Sequence, residues 1–112
     1  IVAWDEWIKF FGREFLDDFV ERRYTQFLKI RLLTPHTELS RTLKQHDQQE
    51  LRHTRFLRSE THINNSNFIY GSKTAIITIN VKRPVGILIE DQDINNTMMV
   101  LFESLWKQSS ET

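Results

Sequence analysis

Phe68-Ile69-Tyr70-Gly71-Ser72-Lys73-Thr74-Ala75-Ile76-Ile77-Thr78-Ile79-Asn80-Val81-Lys82-Arg83-Pro84-Val85-Gly86-Ile87-Leu88-Ile89-Glu90 decides how the chain is read. Two β-branched apolar runs, Ala75 to Ile79 and Val85 to Ile89, are separated by residues that favour turns. Val and Ile suit the pleated, half-buried surface of a sheet, whereas Gly71 and Lys82-Arg83-Pro84 interrupt it. The pattern predicts an antiparallel meander of three strands, Asn67–Tyr70, Thr74–Asn80 and Val85–Glu90, followed by a helix from about Asp93.

Upstream, Ile1-Val2-Ala3-Trp4 has the character of a strand end. Asp5 and Glu6 then favour a helix start, because carboxylates meet the positive end of the helix dipole there. Trp7, Phe10, Phe11, Phe15, Phe19 and Val20 recur at helical spacing to about Tyr24. Phe27 to Leu33 reads as a strand with Leu28, Ile30 and Leu32 on one face. Thr34-Pro35 is expected to be the cap and first turn of a polar helix reaching about Gln49, anchored by Leu39 and Leu43. Leu51 to Leu57 returns to a strand, and His62 to Asn67 is a turn-rich loop. After the meander, Ile94, Met98, Leu101, Phe102, Leu105 and Trp106 give the last helix a wide apolar face, with Met99 and Val100 off its centre. Such a face suits either intramolecular burial or a homodimer. Gln108 to Thr112 is expected to fray. The order of elements predicts an α/β fold: a mixed sheet with parallel strand-helix-strand units, an antiparallel meander and a closing helix.

Composition narrows the function classes. At 112 residues and 39% apolar content the chain can bury one core and reads as a single domain. Its 15 basic and 15 acidic residues balance, so no strong generic attraction to nucleic acid is expected of it alone. Without cysteine there is no disulfide framework, thiolate metal site or cysteine nucleophile. No run approaches the roughly 20 apolar residues of a membrane span, and no secretory signal is visible. The absence of an initiator Met leads us to expect an excised part of a longer chain.

The familiar catalytic spacings are missing. His36, His46, His53 and His62 form no metal-binding pair, the glycines are isolated, and there is no GxSxG elbow, so no cofactor is expected. One constellation stands out. Ligands of open α/β sheets sit at the carboxyl ends of parallel strands. Those ends would gather Trp4, Asp5, Thr34, His36 and Arg58, with the helix N-terminus after Thr34 offering N–H groups to an anion. Capping and ordinary loop polarity account for the same residues without a ligand.

Asn67-Phe68-Ile69-Tyr70-Gly71-Ser72-Lys73-Thr74-Ala75-Ile76-Ile77, Val85-Gly86-Ile87-Leu88-Ile89-Glu90-Asp91 and Leu101-Phe102-Glu103-Ser104-Leu105-Trp106 together resemble the C-terminal region of TrmB-type transcriptional regulators. The matching family segments are an IYGDKVAII strand pair, a GVIIED strand and a FELLW closing helix. Ile30 to Leu33, and Glu50 to Leu57 against a family ELRETRFI segment, extend the resemblance over nearly the whole chain. It implies a phospholipase-D-like α/β fold without catalysis, acting as an effector-sensing and dimerisation domain in the cytoplasm. DNA would be met only through an upstream winged-helix domain. Catalytic relatives of that fold carry His-x-Lys-x4-Asp; from His62, this chain has Asn64 and Ile69 at the other two places. Two rival readings are a phosphodiesterase or nuclease fragment completed elsewhere and a purely structural dimerisation module.

Overall fold

The computed structural model describes residues 29–78 and 82–112, which fall into two compact units. One comprises residues 29–59 with 109–112, and the other residues 60–108. The expected Ile1–Trp4 strand, the aromatic helix after it and the end of the second meander strand lie outside the described residues.

In the first unit, β1 (Ile30–Thr34) and β2 (Arg52–Phe56) run parallel, in a register that sets Leu32 beside Thr54 and Thr34 beside Phe56. Parallel neighbours need a long connection. Here it is α1 (Glu38–Lys44) followed by a series of turns.

The expected cap at Thr34 is corrected. Thr34 is the last residue of β1, and the helix is capped by Thr37. The Thr37 hydroxyl accepts from Ser40 N (3.1 Å) while Ser40 Oγ accepts from Thr37 N (2.8 Å), so each satisfies a terminal N–H of the other. Ser40 Oγ also donates to Pro35 O at 2.7 Å and is fully buried. The helix also stops at Lys44 rather than near Gln49. Beyond it the chain tightens through turns to Leu51, whose φ of +52° reverses it into β2. Leu39 is no anchor: it is 60% exposed, and Ser40 occupies the inward position.

The second unit holds β3 (Ser66–Tyr70), β4 (Lys73–Thr78) and β5 (Val85–Glu90) as an antiparallel sheet in the order β3-β4-β5. Where they are described, these boundaries follow the meander expected from the sequence to within a residue; the expected end of the second strand at Asn80 lies outside the described residues. Tyr70 pairs with Lys73 across a two-residue loop, and Gly71 supplies its positive φ of +54°. A Cβ there would meet nothing within 4 Å, so the requirement is conformational rather than spatial. Among the described strands, the parallel pair and the antiparallel triplet are separate ladders rather than one sheet. The chain is therefore a mixed α/β fold with parallel and antiparallel sheets and a C-terminal helix.

That helix, α2 (Gln92–Gln108), packs on β3 and β4. Asp91 caps it: Ile94 N donates to Asp91 Oδ2 at 2.9 Å. Two further bonds fix its start to the hairpin, from Asp91 N to Ser72 O (3.1 Å) and from the buried Asn95 amide to Lys73 O (2.9 Å). The inward side of α2 runs through Asn95, Met98, Phe102 and Trp106, and the Phe102 and Trp106 rings stack at 5.7 Å. Ile94, Val100 and Leu101 remain exposed.

β4 is the central strand and is buried on both faces at Thr74, Ala75 and Ile77. Thr74 Oγ1 is enclosed there with no hydrogen-bond partner. An unmet buried hydroxyl costs about 1–3 kcal/mol. Thr74→Val keeps the shape and removes that group, so it is expected to stabilise the chain by about 1 kcal/mol. A lower urea midpoint for the variant would refute this assignment.

Candidate functional site

The carboxyl edge of the β1–β2 pair is where the chemistry-bearing residues of the first unit meet. Thr34 and Phe56 end the two strands side by side, and Leu57 N donates to Thr34 O at 2.9 Å to close the edge. Thr34 is buried, and its hydroxyl turns back to donate to Pro35 O at 3.3 Å. Pro35 sends the chain outward and places the exposed His36 imidazole on the buried Phe56 ring, centroids 4.4 Å apart. Lys44 Nζ stands 6.0 Å from the centroid of the same ring, within cation–π range. Arg58 follows Phe56 by two residues and is exposed.

Of the residues singled out from sequence, Thr34 and His36 are thus brought together on Phe56, and Arg58 lies on the segment leaving the same edge. Trp4 and Asp5 lie outside the described residues. The helix N-terminus expected directly after Thr34 lies instead at Glu38, where the capping box occupies the Thr37 and Ser40 N–H groups. What remains is an exposed imidazole backed by an aromatic ring, with a guanidinium further along. Such an arrangement can stack on a planar group or meet an anionic one.

Beneath this edge lies a polar network that the sequence reading did not anticipate. Asp47 is its hub. Its carboxylate accepts from Thr54 N (2.6 Å), Thr54 Oγ1 (2.7 Å) and Arg52 Nε (2.9 Å). Burial alone would raise the Asp47 pKa, but these donors more than offset it and hold the group below its ordinary value of 3.8. Arg52 also donates to Glu50 Oε2 and Leu43 O, so one guanidinium gathers the turns that follow α1.

The expected fraying of the C-terminal residues is corrected by the same network. Ser110 pairs with Phe56 in an antiparallel bridge, Ser110 N donating at 2.9 Å and Phe56 N at 2.7 Å. Arg55 donates to Ser109 Oγ (2.7 Å) and Ser109 O (2.6 Å). Glu111 accepts from Lys44 Nζ (2.9 Å) and Arg55 Nη1 (3.0 Å). The Lys44 hydrogen bond is the main reason its pKa falls from 4.5 to about 2. An ionised carboxylate can only accept, so His53 Nε2, 2.6 Å from Glu111 Oε1, carries the proton between them.

No family model, curated protein or solved structure matches this chain.

Among the described residues, no group of three His, Asp or Glu side chains is placed to hold a metal. His62 and Asn64 are exposed in the irregular segment before β3, and Ile69 lies within that strand. The network residues had little signal in the sequence. Thr37 and Ser40 do have the spacing of a capping box, with Ser in place of the usual Glu or Gln. Asp47 and Glu111 are recognisable only once β2, α1 and the C-terminal residues are seen side by side.

Proposed function

We propose that this chain is a non-catalytic regulatory domain, sensing an effector and dimerising, of a cytoplasmic TrmB-type transcriptional regulator. On this reading its α/β fold is of the phospholipase-D-like kind, DNA is met through a winged-helix domain elsewhere in the same polypeptide, and a small molecule is the effector. The observation that carries the reading is the carboxyl edge of β1 and β2, where exposed His36 lies on Phe56 and Arg58 follows. The sequence resemblance, the neutral charge and the lack of Lys and Asp partners for His62 agree with it. No described helix is long and apolar enough to cross a membrane.

A thermal-shift screen with sugars, nucleotides and carboxylate metabolites tests it. A ligand that binds only the folded chain stabilises it by about 2.7 kcal/mol at a hundred times its Kd. The expected result is a raised Tm with one ligand class, lost in His36→Ala and Arg58→Ala. A shift indifferent to both substitutions would move the site elsewhere. Phosphodiester hydrolysis abolished by His62→Ala would overturn the non-catalytic reading. Silence across the screen would favour the second reading, a structural dimerisation module, to which the exposed apolar residues of β5 and α2 also point.

A further inference from the structure

β5 is an edge strand of unusual composition. Among the described strands it pairs on one side only, with β4. From Val85 to Ile89 it carries no charge, and Val85, Ile87 and Leu88 are 49%, 48% and 60% exposed. Edge strands are ordinarily guarded by charges, bulges or covering elements, since an open apolar edge invites another strand. Pro84, immediately before β5, can stop a ladder at that end but does not shield the strand.

The charges flank the strand with opposite signs. Exposed Lys82 and Arg83 precede it, and Glu90 and Asp91 close it. A parallel neighbour of the same sequence would set like charges against like. An antiparallel one sets each basic end against the partner's acidic end. We propose that β5 is the contact through which two copies of this chain associate, antiparallel about a two-fold axis at Ile87, joining two three-stranded sheets into one of six.

Symmetry restricts the register. A two-fold axis perpendicular to the sheet keeps each side chain on its own face, so odd-numbered residues face odd and even face even. Centring the contact on Ile87 opposes Val85 to the partner's Ile89 and Gly86 to the partner's Leu88. It also places Arg83 opposite the partner's Asp91, and this pair occurs twice. Asp91 already caps α2 through Oδ2, and a carboxylate has further acceptor sites for a guanidinium. The exposed apolar residues of α2 offer no comparable self-complement. Ile94 and Leu101, seven residues apart, share one side of the helix, while Val100 lies on another.

The inference rests on the dimeric part of the proposed function, not on an effector. Sedimentation of the intact chain, together with single-cysteine variants, tests it, since the natural sequence contains no cysteine. Directly opposed residues in an antiparallel pair lie within reach of a disulfide. Ile87→Cys is therefore expected to form a disulfide-linked dimer on mild oxidation, while Val100→Cys stays monomeric on a denaturing gel. Ile87→Lys, which brings two ammonium groups together at the axis, is expected to lose the dimer while keeping the far-ultraviolet dichroism of the parent. A monomeric parent chain would overturn both the dimer and this interface. A dimeric parent whose Ile87→Cys fails to cross-link, or which cross-links through Val100→Cys instead, would overturn the β5 interface alone.

Discussion

Phe56→Ala is expected to cost about 3–5 kcal/mol, the range for deleting a buried aromatic ring. Phe56 is 3% exposed and ends β2 beside Thr34. Its backbone pairs with Ser110, and its ring supports His36 and lies near Lys44. Domains of this size are stable by only about 5–15 kcal/mol, so the loss is a large fraction of the total. The urea midpoint should fall sharply, with amide protection at Thr34, Thr54 and Phe56 decreasing first. Phe56→Leu retains most of the volume and should cost about 1–1.5 kcal/mol. An alanine variant as stable as the parent would mean that this ring is not the core of the first unit. On the sensor reading proposed above, the same substitution removes the platform under His36 and with it any effector-induced stabilisation.

Asp47→Ala is expected to be comparably severe. It removes the acceptor for Thr54 N, Thr54 Oγ1 and Arg52 Nε, and the Arg52 side chain is only 8% exposed. Each buried donor left without its acceptor costs about 1–3 kcal/mol, while Arg52 keeps Glu50 and Leu43 O as partners. Asp47→Asn keeps one carbonyl acceptor for Thr54 and should fall between the two. The carboxylate also makes stability depend on acidity. The pKa values of Asp47 and Glu111 are lower in the folded chain than their ordinary 3.8 and 4.5, so in acid the unfolded chain takes up protons first. The contribution of each is present above its ordinary value and is lost as pH falls below it, for Glu111 toward about 2. Urea midpoints measured through that window should drop for the parent and drop less for Asp47→Ala. Equal slopes would show that the hub carboxylate does not carry the acid sensitivity.

The meander was legible because its signals are local. The β-branched runs and Gly71 determine strands and turn within a few residues, and a two-residue loop then fixes the register. α2 was legible for the same reason, through its periodic apolar positions. The region between β1 and β2 was misread at both ends. Thr34-Pro35 satisfies a local capping preference, but extension of β1 to Thr34 moves the cap to Thr37. The polar stretch to Gln49 favours a helix locally, yet Arg52 and Asp47 hold its second half in turns through contacts made across β2. The candidate site was legible as a position, the carboxyl edge of parallel strands, and in His36 and Thr34. Its aromatic floor was not, because Phe56 reads from sequence only as a core residue. The anchoring of Ser109 to Glu111 depends on cations from α1 and β2 that lie far away in the chain, and periodicity cannot reveal such a pairing.

That anchoring has a consequence for how the polypeptide emerges from the ribosome. The second unit is a continuous segment and can close as soon as Gln108 is free. The first unit is interrupted by it and lacks Ser110 against Phe56 and Glu111 against Lys44 until residues 109–112 have been made. Vectorial synthesis therefore favours completion of the later-encoded unit before the earlier one. A nascent chain stalled before Ser109 would present β2 with its last neighbour missing.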